Sequence, residues 1–173
     1  MSILTEEQAR AILDKVVKLS KADQCTAQLT GNIDGNIRFA LNDISTSGIV
    51  DDTDLAVEVA FGNKVGVATI NEFDDASLER VVRRAEDLAR LAPENPEFMP
   101  AIEKQTYKPS PTFTQSIADI TPEYRAQVAA DSIKPCKNEK LIAAGFLEDG
   151  QSFVAFANSK GNFGYQRATS FDY

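Results

Sequence analysis

Residues 25–41, CTAQLTGNIDGNIRFAL, carry the pattern that decides the fold. Small or apolar residues occupy every second position from Cys25 to Ile33, and polar residues lie between them. The alternation resumes after Asp34-Gly35, a dipeptide that favours a two-residue hairpin turn. Because successive side chains of a strand point to opposite faces, the pattern predicts an antiparallel hairpin with one buried face.

A second alternating stretch begins at Leu55 and predicts a second hairpin, with its turn at Gly62-Asn63. Residues 45–48 are predicted to connect the two hairpins. Three acidic residues just before Leu55 fit a solvated entry to a strand better than a calcium loop, which would need a central glycine and a final glutamate. They are Asp51, Asp52 and Asp54.

Amphipathic helices are predicted on both sides of these strands. The first covers residues 5–20, and the second runs from Asp74 or Asp75 to the proline at position 93. Each places apolar residues on one face at helical spacing. We therefore predict an α+β, two-layer domain over residues 1–105, made of a helix, two antiparallel hairpins and a helix.

Residues 106–120 are predicted to be a proline-rich linker, because proline disfavours helices and central strands. Residues 121–173 are predicted to begin a second α/β unit with a helix and an antiparallel sheet, including a turn at Asp149-Gly150. One helix and three strands give a thin core. We therefore expect this unit to be incomplete and its last strand to need a partner.

Composition narrows the classes of function. The net charge of −8 and the lack of a basic patch argue against direct binding to nucleic acid. No apolar run approaches the roughly 20 residues that span a bilayer, and the N-terminus does not resemble a signal peptide. We expect a cytoplasmic protein without a membrane partner.

The chemistry of a catalytic site is also poorly represented. The chain contains no histidine and only two cysteines, which lie far apart in sequence. We therefore predict no catalytic, cofactor-binding or metal-binding residue in this chain. Gly62 to Gly66 lies in a hairpin turn, which does not suit a phosphate-binding loop. A small enzyme that uses carboxylates and lysines alone stays open, and a pocket with two convergent carboxylates would support it.

Three segments resemble the N-terminal region of the TldD/PmbA proteins. Residues 85–96, AEDLARLAPENP, are similar to the alanine-rich helix of that family and the prolines that follow it. Residues 62–71, GNKVGVATIN, resemble its glycine-bearing hairpin. Residues 158–161, NSKG, resemble the turn at the start of its second domain. In this order the matches cover nearly the whole chain.

The resemblance implies a zinc-dependent peptidase family, some members of which are described as modulators of DNA gyrase. Its zinc is held by a helical His-Glu-x-x-x-His motif and a further ligand, all C-terminal to the region present here. No position of this sequence matches that motif. Zinc is therefore expected in the full-length family protein and no cofactor in this chain, so that this chain alone is expected to be inactive.

The resemblance also implies a function. The expected function is the N-terminal, non-catalytic portion of a TldD/PmbA-type metallopeptidase, which helps to enclose the peptide path and forms dimer contacts. The expected partners are a TldD/PmbA-type subunit, in a homo- or heterodimer, and a peptide or unfolded polypeptide substrate. The alternative is a stand-alone binding or regulatory protein that pairs with a peptidase subunit.

Overall fold

The structure, a computed structural model, describes residues 3–173. The strands form one five-stranded sheet in the order β3-β2-β1-β4-β5, and every neighbouring pair is antiparallel. The α+β class is confirmed. The elements are α1 (Glu6–Leu19), β1 (Gln24–Ala40), β2 (Asp43–Phe61), β3 (Lys64–Ile70), α2 (Asp75–Leu91), α3 (Gln115–Ala118), α4 (Pro122–Asn138), β4 (Gly145–Asn158) and β5 (Phe163–Asp172).

Both long N-terminal helices begin at the predicted caps. The Thr5 hydroxyl accepts from the Gln8 backbone N–H, and the Gln8 side chain accepts from the Thr5 backbone N–H, which completes a capping box. The Asp74 carboxylate accepts from the backbone N–H groups of Ala76 and Ser77 at the start of α2. These local hydrogen bonds satisfy donors that the first turn of a helix leaves unpaired.

The hairpin turn predicted at Asp34-Gly35 is wrong. Strand β1 continues through these residues, and the chain reverses at Leu41 and Asn42, whose φ angles are 53° and 64°. The turn predicted at Asp149-Gly150 is also wrong, because β4 runs on through it.

The two Asp-Gly pairs lie opposite each other, with Asp34 beside Gly150 and Gly35 beside Asp149. Both glycines are required by packing. A methyl group on Gly35 would overlap the guanidinium of Arg125, and one on Gly150 would overlap the Asp34 carboxylate. Glycine at these positions therefore reflects close contact across the sheet, a use of glycine that the local sequence does not reveal.

The predicted connection at residues 45–48 is wrong as well, since these residues belong to β2. A register shift between Arg38 and Phe39 marks the bulge that lies beside this segment. The first part of the chain thus supplies two long strands, β1 and β2, and a shorter strand, β3, in place of two separate hairpins. Proline at position 135 predicts the end of the helix that follows Thr121, and this prediction is wrong, because α4 continues through Pro135 to Asn138.

The strands beyond residue 121 extend the same sheet, because β4 pairs with β1 from Thr26–Asn158 to Phe39–Gly145. The sheet is therefore shared by the two predicted units. The domain boundaries at residues 105 and 121 stay a prediction.

Two clusters of buried residues lie on one face of the sheet. The larger cluster packs α1 and α2 against the near half, where β1 begins, and includes Leu13, Leu29 and Val82. The smaller packs α4 against the far half and includes Phe39 and Ile133. Within the described residues 3–173, no helix lies on the opposite face of the sheet. Among residues 3–173, no helix combines the length and apolar character that a bilayer crossing requires.

Candidate functional site

The helix-free face of the sheet is partly covered by residues 100–114, here named the crossing segment. One buried side chain, Asn162, holds it in place. The Asn162 amide donates to the carbonyl oxygens of Ile102 and Glu103 at 2.8 and 3.0 Å, and its oxygen accepts from the Gln105 backbone N–H at 2.6 Å. The Tyr107 hydroxyl donates to the same oxygen at 3.2 Å. Because the amide oxygen and nitrogen are both engaged, this anchor fixes the path of the segment.

The segment then passes over the outer strands. The Tyr107 ring meets the Phe156 ring edge to face, with 5.4 Å between centroids. At the edge of β5, the Thr112 hydroxyl donates to the carbonyl oxygen of Arg167 at 2.7 Å, and the Thr169 backbone N–H donates to the Thr112 carbonyl oxygen at 3.0 Å. Part of the β5 edge is thus covered by the chain itself.

A groove lies between the crossing segment and strands β4 and β5. It has a volume of about 460 Å³. A second hollow of about 450 Å³ continues from it across β1, and the two share Val154 and Gln166. We name this continuous surface the crossing groove. Its lining includes Tyr107, Pro109, Phe113, Val154, Phe156 and Gln166.

The lining of the crossing groove suits binding more than chemistry. Aromatic and aliphatic side chains provide apolar contact, while the Gln166 amide and the cations Lys108 and Arg167 provide polar contact. Among residues 3–173, no carboxylate lines either hollow, so these residues do not provide the pair of convergent carboxylates that a small enzyme would need in this groove. The Arg167 guanidinium also lies 3.9 Å from the centre of the Phe113 ring.

A buried charge on α2 has a structural role. The Glu86 side chain is 1% exposed and accepts from the Lys21 backbone N–H at 2.6 Å and from Arg83 at 2.8 Å. Burial acts to raise its pKa, but the Lys21 hydrogen bond and the charges of Arg83 and Arg90 outweigh burial and hold the pKa below its ordinary value. This carboxylate fastens α2 to the loop before β1.

A second buried ion pair joins α4 to the sheet. Arg125 donates to the Asp149 carboxylate at 2.7 Å, and their side chains are 2% and 10% exposed. The Arg125 guanidinium lies over Gly35, and its Nε atom has no hydrogen-bond partner within residues 3–173. Sequence reasoning missed this pair, since Arg125 and Asp149 are 24 residues apart.

Cys25 is buried in an environment that does not activate its thiol. Burial raises the pKa of the Cys25 thiol to about 11, with a further increase from the nearby Glu86 carboxylate and an opposing hydrogen bond to Ser20. Cys136 is half-buried on α4 and is also a free thiol. A thiol with a raised pKa is protonated at neutral pH and reacts slowly.

The acidic residues do not converge on a metal site. Within residues 3–173, no group of three or more His, Cys, Asp or Glu side chains lies close enough to hold a metal ion. Asp52, Asp54 and Glu72 line a surface hollow of about 330 Å³ beside the end of β3, and Arg80 pairs with Glu72 at 2.7 Å. Asp74 serves as a helix cap, and Asp75 pairs with Lys15.

Comparison with known families gives one match. Residues 29–89 match the model described as PmbA/TldA metallopeptidase domain 1. This match covers β1 from Leu29 onward, β2, β3 and most of α2. The resemblance to the N-terminal region of the TldD/PmbA family is thus confirmed. No curated relative matches the chain in sequence.

Solved structures share the fold. TldE from Thermococcus kodakarensis matches with a TM-score of 0.82 and 15% identity, over 94% of this chain and 37% of that one. A candidate modulator of DNA gyrase from Thermotoga maritima matches with a TM-score of 0.79 and 11% identity, over 94% of this chain and 38% of that one. A similar protein from Bacteroides thetaiotaomicron matches with a TM-score of 0.74 and 16% identity, over 98% of this chain and 40% of that one. The chain therefore spans less than half the length of these relatives.

Proposed function

We propose that this chain, whose residues 29–89 match the model of the first domain of the PmbA/TldA metallopeptidases, is the non-catalytic N-terminal portion of such a peptidase. Its role is to line the path of a peptide or unfolded polypeptide and to contribute dimer contacts. The proposed location is the cytoplasm. Peptide cleavage in this proposal belongs to parts of the family protein outside this chain.

The residues of this chain do not fit the zinc that the family implies. The sequence has no histidine, and the described carboxylates and thiols do not form a cluster that could hold a metal ion. We therefore derive no chemical step through a metal in this chain. Its own residues would bind and orient substrate.

The crossing groove is the observation that carries this proposal. An extended polypeptide needs apolar contact for alternate side chains and hydrogen-bonding groups for its backbone. In the groove, the Tyr107 and Phe156 rings provide the apolar contact, and the Gln166 amide provides hydrogen bonds for the peptide backbone. Since the Asn162 hydrogen bonds hold the crossing segment in place, the groove is already formed before any ligand binds.

The test is a binding measurement with Val154→Asp. A fluorescein-labelled peptide with alternating apolar residues would be titrated with the chain and followed by fluorescence anisotropy. Val154 is 41% exposed and lies in the groove. A carboxylate there would be desolvated by the bound peptide, so we expect affinity to fall by roughly tenfold or more.

Val67→Asp is the matched control. Val67 is 48% exposed on β3, on the same face but three strands from β4 in the sheet. We expect it to bind the peptide like the unmodified chain. Equal affinity of all three proteins, or loss of binding in both variants, would contradict the assignment of the groove.

The proposed dimer contact is an apolar tip at the far end of the sheet. The side chains of Leu41, Leu141 and Ile142 are 77%, 61% and 71% exposed. The Asn42 amide holds them together, because it donates to the Leu141 carbonyl oxygen at 2.8 Å and accepts from the Ala143 backbone N–H at 2.7 Å. Exposed aliphatic clusters of this kind are typical of protein–protein contacts.

Sedimentation velocity over a range of concentrations tests the tip. We expect the unmodified chain to self-associate and Ile142→Asp to remain monomeric. Leu91→Asp is the control, because Leu91 is 85% exposed at the end of α2, away from the tip. If the chain stays monomeric at every concentration, or if both variants associate equally, the tip does not mediate a homodimer.

A further inference from the structure

In the part of the chain that the structure describes, the outer edge of β2 has no neighbouring strand over its first half. Strand β3 pairs only with residues from Leu55 to Phe61, while β1 pairs with β2 on the other side from Asp43 onward. Residues 43–52 are all exposed. We name β2 from Asp43 to Asp54 the free edge. Its last residues, from Asp51 onward, border a surface hollow whose other side is formed by Asn71, Glu72 and Phe73.

The free edge has few of the features that protect exposed strands. It contains no proline and no lysine, and its bulge lies at one end, beside Phe39. Ile49 and Val50 are 57% and 48% exposed near its middle. A regular edge with exposed aliphatic side chains is a template for an added strand.

The charges of the free edge select the kind of strand that it accepts. The edge contains four aspartates and no basic residue. On the helix-free face, the neighbours of Asp52 and Asp54 on β1 are Asn32 and Thr30, which bring no positive charge. Neither carboxylate has a basic partner within residues 3–173. A second copy of this chain would bring the same negative charges to the contact, which disfavours self-pairing.

We propose that the free edge binds, by strand addition, an extended segment of another polypeptide that carries basic residues at alternate positions. Two of its Lys or Arg side chains would lie opposite Asp52 and Asp54, and an apolar side chain would lie opposite Val50. Alternate spacing is required because only every second side chain of the added strand faces this side of the sheet. The free edge is separate from the crossing groove, since none of its residues lines either hollow of that groove.

The probe is a pair of fluorescein-labelled peptides about 10 residues long, the length of a long strand. Both have valine and threonine at one set of alternate positions. The other set holds one valine, for the position opposite Val50, and is otherwise lysine in one peptide and glutamate in its counterpart. Each would be titrated with the 173-residue chain and followed by anisotropy. We expect the lysine peptide to bind and the glutamate peptide not to bind. Hydrogen exchange should slow in residues 43–54 when the lysine peptide is added.

The variant that tests the charges is Asp52→Lys with Asp54→Lys. Because two favourable cross-strand charge pairs become repulsive, the affinity for the lysine peptide should fall by roughly tenfold or more. The control is Asp14→Lys with Glu94→Lys, which changes the net charge equally at two exposed positions outside β2. We expect the control to bind within about twofold of the unmodified chain, because its new charges lie away from the bound peptide.

Backbone methylation of the peptide separates strand addition from simple charge attraction. In an added strand, the N–H groups of alternate residues point toward the edge. N-methylation of one alternate set should abolish binding, and N-methylation of the other set should preserve it.

Several results would overturn the proposal. They are equal binding of the lysine and glutamate peptides, unchanged affinity in the Asp52→Lys, Asp54→Lys variant, equal binding of both methylated peptides, and protection from exchange outside residues 43–54 only. Self-association of the chain through this edge would also overturn it, because the occupant would then be a second copy.

Discussion

Replacing Gly66 with alanine should separate α2 from the sheet. A methyl group at this position of β3 would overlap the Ala85 carbonyl oxygen and the Ala89 backbone nitrogen, and it would lie 2.9 Å from the Ala89 Cα. All three are backbone atoms of α2, so no side-chain rotation relieves the overlap. The whole helix must shift away from the core that contains Leu78 and Val82.

Overpacking of a core typically costs about 1–3 kcal/mol, and a backbone obstacle places Gly66→Ala near the upper value, at about 3 kcal/mol. Urea denaturation followed by far-UV circular dichroism measures this loss in the free energy of unfolding. The control is Gly48→Ala in β2, where the nearest atom, Asn36 Nδ2, is 4.0 Å from the new methyl group.

Gly48→Ala should be neutral or stabilise the protein by up to about 1 kcal/mol, since glycine weakens a strand. The reasoning fails if Gly66→Ala loses less than about 1 kcal/mol, or if the two variants lose equal stability, because either result would mean that α2 does not lie against β3 as described.

Two further predictions concern the buried charges. Glu86→Gln should lose about 1–2 kcal/mol of unfolding free energy at pH 7, a value reduced from that of a fully buried pair because its arginine partners are partly exposed. The folded pKa of Glu86 lies below its unfolded value, so its contribution is complete above the unfolded pKa and is lost as pH falls through the folded pKa. The difference between this variant and the unmodified chain in urea denaturation should therefore shrink from pH 7 to pH 3, and a difference that stays constant would contradict the assignment. Asp149→Asn should lose about 3 kcal/mol by the same method, because it leaves the Arg125 charge buried without its partner. Adding Arg125→Met should restore part of that loss, and a further loss would show that the pair is not the source.

The helices were predictable because their signals are local. Thr5 and Gln8 form their capping box within one turn, and Asp74 caps α2 through the next three residues. The turn at Gly62-Asn63 was equally predictable, because a glycine-containing dipeptide between two alternating stretches is itself a local turn signal. In the structure Gly62 has a φ of 58°, and an added methyl group would meet no atom within 4 Å.

The two turns predicted at the Asp-Gly pairs were wrong because tertiary contacts, and not turns, require glycine at these positions. At Gly35 and Gly150 the space of a side chain is taken by Arg125 and by Asp34, which reach these positions only in the folded sheet. The actual turn uses Leu41 and Asn42, and the left-handed conformation there is supported by Asn42 contacts to residues about 100 positions later in the chain. A local pattern holds no information about either contact.

The crossing groove could not be predicted for a related reason. The prolines predicted an extended crossing, but the position of the crossing segment depends on Asn162, whose partners in that segment lie 55–60 residues away in the chain. The free edge was not predicted either. The hairpin predicted at Asp34-Gly35 ended near Leu41, so residues 45–48 were interpreted as a connection and not as part of a long strand.

The two halves of the sheet differ in how many buried residues pack against them, and this difference links stability to binding. The near half is packed under α1 and α2, whereas the far half rests on the small cluster under α4 and on the Arg125–Asp149 pair. The apolar tip and most of the free edge, residues 43–51, belong to the less supported far half. A segment with fewer buried contacts opens at lower free energy, and a partner that binds only its closed form stabilises it. Binding at the free edge should therefore slow hydrogen exchange in α4 as well as in β2, while leaving exchange in α1 and α2 unchanged.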